Sequence, residues 1–303
     1  MPPVPLPDDI TIKARRFAVG LSGGADSTYL SIIASQHERV VLVHINHELR
    51  GSESDADEQF CRDLAIQLNR PLIVVNRSEI EPAMANLPTN PSARYRAIRL
   101  HVFRQVVDTH GLDAVLLAHH ANDQAETVLM RLARGGGLGS LRGMQAESTI
   151  HGLRIERPLL SLGVSDIRSR LRGIDQSWRE DSSNASDHYR RNVARALLRR
   201  DASLVPVLCD LANRAQALHD RLNDAAPHLP ERFPCDLLRD LPPVVGEHAA
   251  RKWLIERGCP SDDVSPDVCR RLIEQATDPA APLRQHYPGK ILVRRKKKHI
   301  ERA

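Results

Sequence analysis

Residues 17–34 read FAVGLSGGADSTYLSIIA, and this stretch decides the fold. Phe17 to Leu21 is a short apolar run behind the basic Lys13-Ala14-Arg15-Arg16, the profile of a buried strand. Ser22-Gly23-Gly24 is a turn that only small residues tolerate. Leu30, Ile33 and Ala34 then recur at helical spacing. A glycine turn feeding a helix gathers unpaired backbone N–H groups at the positive end of the helix dipole, which is a site for phosphate. Asp26 lies in the same turn, where a carboxylate repels phosphate unless a divalent cation stands between them. The loop of Ser22, Gly23, Gly24, Ala25, Asp26 and Ser27 therefore asks for a nucleotide together with Mg2+. It is neither a Walker A loop, since no lysine follows the glycines, nor a GxGxxG dinucleotide loop.

Outward from this stretch, strands alternate with helices. Val40 to Ile45 is a β-branched run of the kind a buried parallel strand shows, ending in Asn46-His47-Glu48-Leu49-Arg50. Phe60, Leu64 and Leu68 share a helical face until Pro71, and Leu72 to Val75 is the next strand. Residues 76–91 carry three prolines and predict an extended, mobile loop. Tyr95, Ile98, Val102 and Val106 mark a helix that Gly111 stops. Ala114 to Ala118 is a further strand, and Asn122 or Asp123 opens another helix. The pattern predicts an α/β fold with a parallel, doubly wound sheet, whose ligands sit at the carboxyl ends of strands. The SGGADS, NHELR and HHANDQAE segments all lie there and are expected to converge on one crevice. Arg134 to Gly139 (RGGGLG) reads as a glycine-rich connection, 148–160 as a short hairpin, and 164–174 and 188–200 as arginine-rich helices. Arg191, Arg195 and Arg199 form one stripe by their four-residue spacing. The pattern changes near 201–206, so domains are expected at 1–203 and 204–303. The second is mostly helical, with a terminal β-hairpin around Pro288-Gly289.

The chain has 303 residues, of which 41% are hydrophobic and only 3% aromatic, so its core is aliphatic. No apolar run is long enough for a membrane span; residues 1–12 are expected to be a loose tail, and MPPVPLPDDI lacks the apolar stretch of a signal peptide. The five cysteines are scattered without CxxC, which excludes a zinc ribbon or thioredoxin-type motif and suits a reducing cytoplasm. Net charge is +5. The cations cluster at 168–200 and in RRKKKH at 294–299, a distribution that points to nucleic acid.

Asp123 and Glu126, three apart at a helix start, share a face. With Asp26 they could form a carboxylate cage for Mg2+, metal ligands being Asp26 and Glu126 with or without Asp123; the competing reading is plain capping of the helix N-terminus. His119 and His120 line the site or merely end the strand.

SGGADS resembles the pyrophosphate-binding loop of the PP-loop ATP pyrophosphatases. VHINHELRGSESDADEQF, AHHANDQAETVLMRLARGGGLGSLRGM and WREDSSNASDHYRRNVAR are similar to segments of the bacterial tRNA(Ile)-lysidine synthases, a PP-loop group. The resemblance covers about residues 15–200; larger members carry a further C-terminal domain. It implies a two-step reaction. ATP adenylates the C2 oxygen of the wobble cytidine in an isoleucine tRNA, releasing pyrophosphate, and the ε-amine of free L-lysine then displaces AMP. It implies ATP and Mg2+ as cofactors, Asp26, Asp123 and Glu126 as catalytic groups, and a cytoplasmic enzyme. A homodimer would be one way for so small a chain to hold its tRNA. Arg94, Arg190, Arg191 and Arg195 are the candidate RNA contacts. Asn122 stands where the family often has Asp, and Glu48 where Gly is common. A tRNA thiolase of the same fold would need paired cysteines, and the lack of CxxC and of any cysteine near the loops counts against it. A catalytically silent RNA-binding protein is opposed by the intact Ser22, Asp26, Asp123 and Glu126.

Overall fold

The structure, a computed structural model, describes residues 7–180, 189–260 and 263–303, with the side chains of 189 and 190 left out. The chain divides into two compact units, Met1–Ala212 and Asn213–Ala303.

The first unit holds β1 (Arg16–Gly20), α1 (Ala25–Ala34), β2 (Arg39–Asn46), α2 (Ser52–Leu68), β3 (Leu72–Asn76), α3 (Arg77–Ile80), α4 (Pro91–His110), β4 (Ala114–Leu116) and α5 (Ala121–Leu132). It continues with α6 (Leu138–Leu141), β5 (Glu147–Ile150), β6 (Leu153–Glu156), α7 (Val164–Arg172) and α8 (Tyr189–Arg200). The strands form one sheet in the order β3-β2-β1-β4-β6-β5, parallel except for the β5–β6 pair. The chain runs outward from β1 to β3 and then returns to place β4 on the other side of β1. That reversal puts the topological switch point between the ends of β1 and β4, where open α/β sheets bind their ligands.

β1 is buried on both faces because its side chains alternate. Phe17 and Val19 enter a core with α1, α2 and α7, and Ala18 enters a second core with α4. This two-sided burial is why the strand reads as a continuous apolar run. The segment 76–91 is not the open excursion its prolines suggested. It folds as α3 and a 3-10 turn, Glu81–Ala83, and Ile80, Met84 and Leu87 pack against the second core. The expected loose tail is also docked from Ile10 onward, with Ile10 3% exposed and Asp9 paired to Arg170 at 2.6 Å. The segment just after RGGGLG is held in place: Gln124 exchanges bonds with the Met144 backbone at 2.7 and 3.0 Å, and Arg131 donates to the carbonyls of Ser140 and Gly143.

α9 (Leu204–Ala225) carries the division between the units. Beyond it lie β7 (Arg232–Pro234), α10 (Asp236–Arg239), α11 (Pro243–Glu256), α12 (Pro266–Thr277), β8 (Arg284–Tyr287), β9 (Ile291–Lys296) and β10 (His299–Arg302). The expected terminal hairpin is larger than two strands. It is an antiparallel sheet in the order β7-β10-β9-β8, closed over a core in which the Phe233 and Trp253 rings meet edge to face at 5.3 Å. RRKKKH lies within this sheet. Arg294 to Lys296 end β9, Lys297 and Lys298 make the turn, and His299 begins β10, with all three lysines exposed. Among the described residues, no helix is long and apolar enough to cross a membrane.

Candidate active site at the sheet switch point

Leu21 leaves β1 with its N–H bonded to the Val43 carbonyl, 2.9 Å away. Hydroxyls then shape the loop. Ser27 Oγ accepts from the Ser22 N–H at 3.1 Å and donates to the Gly24 carbonyl at 3.1 Å, while Thr28 Oγ1 donates to the Gly23 carbonyl at 3.2 Å. Gly23 has φ +88°, so its conformation demands glycine, although a Cβ there would meet Arg179 and Phe60 only at an ordinary contact distance of 3.4 Å. Gly24 caps α1 without a side chain, and the first-turn N–H groups of Ala25, Asp26 and Ser27 have no intrahelical partner. All of α1 is buried except Asp26, which is turned to the crevice. One oxygen of Asp26, Oδ1, is buried with no hydrogen-bond partner among the described residues.

The opposite wall comes from the segment after β4. His120 caps α5 in a reciprocal box: the Asp123 N–H donates to His120 Nδ1 at 3.4 Å, and the His120 N–H donates to Asp123 Oδ2 at 3.2 Å. The far side of the ring looks across the crevice, with Nε2 standing 3.5 Å from Oδ2 of both Asp26 and Asp123. Burial alone would lower the pKa of this imidazole, but the bond to Asp26 and the charges of Asp123, Asp26 and Glu126 hold it above its ordinary value. The adjacent His119 behaves oppositely. Burial, helped by the positive charges of Arg157, Arg99 and Arg191, pushes it down to about 4, so its ring is neutral at pH 7.

Glu126 is 6% exposed and survives burial because arginines of α8 meet it. Arg191 Nε donates to Oε2 at 2.7 Å and Arg195 Nε to Oε1 at 2.9 Å, while Arg191 Nη2 reaches Asp123 Oδ1 at 3.0 Å. Burial opposes the charge on Arg191, but Glu126 and Asp123 raise its pKa beyond the usual guanidinium value. The stripe at 191 and 195, expected to face RNA phosphates, thus packs its guanidiniums on the acids of α5. The side chain of Arg190 lies outside the described residues. Arg94, the remaining RNA candidate, is ion-paired with Glu81.

The loop and the acids do come together at the switch point, as the spacing of the motifs predicted. The NHELR segment reaches the loop only through a relay: Arg50 pairs with Asp57 at 2.6 Å, Asp57 pairs with Arg179 at 2.7 Å, and the Arg179 N–H donates to the Gly23 carbonyl at 2.9 Å. Glu48, where the family favours Gly, has φ +55°, and its carboxylate holds that strained backbone by accepting from the Ser78 N–H and hydroxyl at 2.7 and 2.9 Å. Asn122 accepts from the Val164 N–H at 3.1 Å, a tie to the start of α7 that a charged Asp could make equally well. Trp178 packs against the first core and donates its indole N–H to Glu180. One expectation is overturned: a cysteine does lie beside the loop. Cys61 is fully buried beneath it, its Sγ 3.3 Å from His44 Nδ1, and burial pushes its thiol up to about 12.

As for Mg2+, Asp26 fits: its open oxygen beside a run of N–H donors is where a cation bridging carboxylate and phosphate would sit, and Mg2+ needs only one or two protein carboxylates beside phosphates. Glu126, expected as the second ligand, has both oxygens engaged by arginine. Among the described residues no cluster of three or more acids, histidines or cysteines could hold a metal by itself.

A parallel doubly wound sheet with a phosphate-type loop at its switch point defines a class of nucleotide-binding α/β domain. Residues 6–201 match the PP-loop domain family, and the chain belongs to it. It is 34% identical to a tRNA(Ile)-lysidine synthase of Rhodopirellula baltica, over 71% of this chain and 59% of the relative. It is 41% identical to that of Geobacter sulfurreducens, over 59% and 38%, and 33% identical to that of Bacillus subtilis, over 61% and 40%. The chain thus spans less than two thirds of the length of these relatives. Among solved structures, the U34-tRNA thiolase NcsA of Methanococcus maripaludis shares the fold, with a TM-score of 0.55 and 16% identity, covering 69% of this chain and 75% of that one.

Proposed function

We propose that this protein is an ATP-dependent tRNA-modifying ligase that joins free L-lysine to C2 of the wobble cytidine in an isoleucine tRNA with a CAU anticodon. The observation that carries the reading is the open Asp26 carboxylate beside the glycine loop, set across the switch point from His120, Asp123 and Glu126. The relatives named tRNA(Ile)-lysidine synthase supply the substrate.

In this reading the loop N–H groups and the N-terminus of α1 hold the β- and γ-phosphates of ATP. The cytidine, splayed out of the anticodon loop, attacks the α-phosphorus through its C2 oxygen, and pyrophosphate leaves. Charge developing on that leaving group is met by the same preorganised donors. Mg2+ held by Asp26 would offset phosphate charge in the bound nucleotide. The lysine ε-amine then attacks C2, loses its proton, and AMP departs with the oxygen. Asp123, Glu126 or a histidine would receive the proton; His119, neutral but weakly basic, is the poorest base of the set. Arg191 and Arg195 hold both oxygens of buried Glu126 in place, and a free cationic amine entering the crevice would find acids already oriented. The exposed Lys296, Lys297 and Lys298, with Arg94, are the cations we assign to RNA phosphate. A cytoplasmic setting and a homodimer belong to the same proposal.

The test is incubation of the protein with ATP, Mg2+, radiolabelled lysine and that tRNA. Label retained on purified RNA supports the assignment; its absence with active protein, or label on a tRNA with another anticodon, removes it. A thiolase reading gains little from Cys61, a single buried thiol that stays protonated at neutral pH.

A further inference from the structure

His120 does two things with one ring. As the N-cap of α5 its Nδ1 accepts the Asp123 N–H, a duty normally given to Ser, Thr, Asp or Asn. In the neutral ring an accepting Nδ1 leaves the proton on Nε2, and the imidazolium carries that proton as well, so the donor on Nε2 is present in either form. Nε2 points across the switch point to Asp26 Oδ2, 3.5 Å away. The other oxygen of Asp26 is the buried, unpartnered one. A short capping residue could not span this gap. The imidazole links the first turn of α1 to the first turn of α5, with Asp123 Oδ2 at the same 3.5 Å on the near side.

We propose that His120 is a positioning residue for Asp26: its Nε2–H holds Oδ2 and so directs Oδ1 toward the Mg2+ that accompanies ATP. Hydrogen-bond partners of metal-ligating groups fix their orientation, and losing one typically costs about 10–100-fold in metal affinity. The inference rests on the assignment of Mg2+ to Asp26 made above.

Two substitutions separate the ring's duties. His120→Asn places a carbonyl oxygen as many bonds from Cα as Nδ1, so it keeps the cap but cannot reach Asp26. His120→Gln places an amide N–H as many bonds from Cα as Nε2, so it keeps the donor but caps poorly. Binding of a non-hydrolysable α,β-methylene ATP is measured by calorimetry against Mg2+ concentration, alongside the melting temperature. We expect His120→Asn to melt as the wild type yet to need about tenfold more Mg2+ for half-saturation. His120→Gln should melt lower but keep most of the wild-type Mg2+ requirement. An unchanged Mg2+ requirement in His120→Asn overturns the proposal, as does a loss that follows the melting temperature in both variants. The Asp26→Asn protein tests the underlying assignment separately: if its nucleotide binding keeps the wild-type Mg2+ dependence, Asp26 is not the ligand, whatever His120 does.

Discussion

The two walls of the crevice are built from different materials. The wall after β1 is backbone, two glycines and a few hydroxyls, with one carboxylate at its edge. The wall after β4 is side chains: a capping histidine, two acids and two arginines brought from α8. Apart from that carboxylate, the first wall presents fixed neutral dipoles, which bury no net charge and need no counter-ion. The second stores opposite charges against one another in a buried place, where each needs its partner. The contrast predicts that damage on the first wall abolishes chemistry while sparing the fold, and that damage on the second also destabilises the fold.

The largest effect is expected at the one charge on the backbone wall. Asp26→Ala should lower tRNA-dependent pyrophosphate release by about a thousandfold or more, with tRNA affinity and melting temperature near wild type. Activity within tenfold of wild type would break the contrast. On the other wall, Glu126→Gln leaves Arg191 and Arg195 facing a neutral amide, and urea unfolding should show a loss of about 3 kcal/mol. A neutral result would mean that the arginines readily find water. Gly23→Ala sharpens the first wall further. Here the damage is to the backbone itself: the strained φ should cost about 1–2 kcal/mol, less than the loss expected for Glu126→Gln. A loop relaxed out of that conformation should bind ATP more weakly, read by calorimetry, even though no charge has changed.

The smallest effect near neutral pH is acid sensitivity at the β2 end. The His47 ring is buried against Tyr95, with Nδ1 unpartnered among the described residues, and burial together with Arg99 and Arg77 pushes its pKa down to about 4. The unfolded chain would therefore take up a proton near pH 6.5 that the folded one refuses. Stability is full above pH 6.5 and erodes as pH falls toward 4, by at most about 1.4 kcal/mol per pH unit for this group. His47→Phe keeps the ring stack and should flatten the melting temperature across that range. An unchanged slope would assign the acid sensitivity to the other histidines whose pKa burial lowers, His37, His44 and His119.

The same contrast explains what could be read from residues alone. The β1–α1 wall was legible because its function is its backbone: glycines at Gly23 and Gly24 dictate the turn, and Asp26 beside them signals a cation. That Asp123 and Glu126 share a face followed from helical spacing. What Arg191 and Arg195 meet did not, because periodicity places residues on one face without saying what that face touches, and Glu126 lies 65 and 69 residues away. His120 reads from the sequence as lining the site or ending the strand, and its bridging role escaped notice for a related reason. Its capping role belongs to a residue type that capping rules do not feature, and its second contact crosses from α5 to α1. Cys61 was hidden because burial beneath the loop leaves no sequence mark beyond a small apolar position on a helix. The prolines of 76–91 misled because Ile80, Met84 and Leu87 anchor a segment whose breakers suggested freedom.

The most direct test of the proposed chemistry follows both substrates together. With ATP labelled at the α-phosphate, lysine labelled with a second isotope and the CAU-anticodon isoleucine tRNA, AMP should appear in equal amount with lysine bound to RNA, and neither should form without the tRNA. ADP as the product, or AMP formed with no lysine on the RNA, would contradict it.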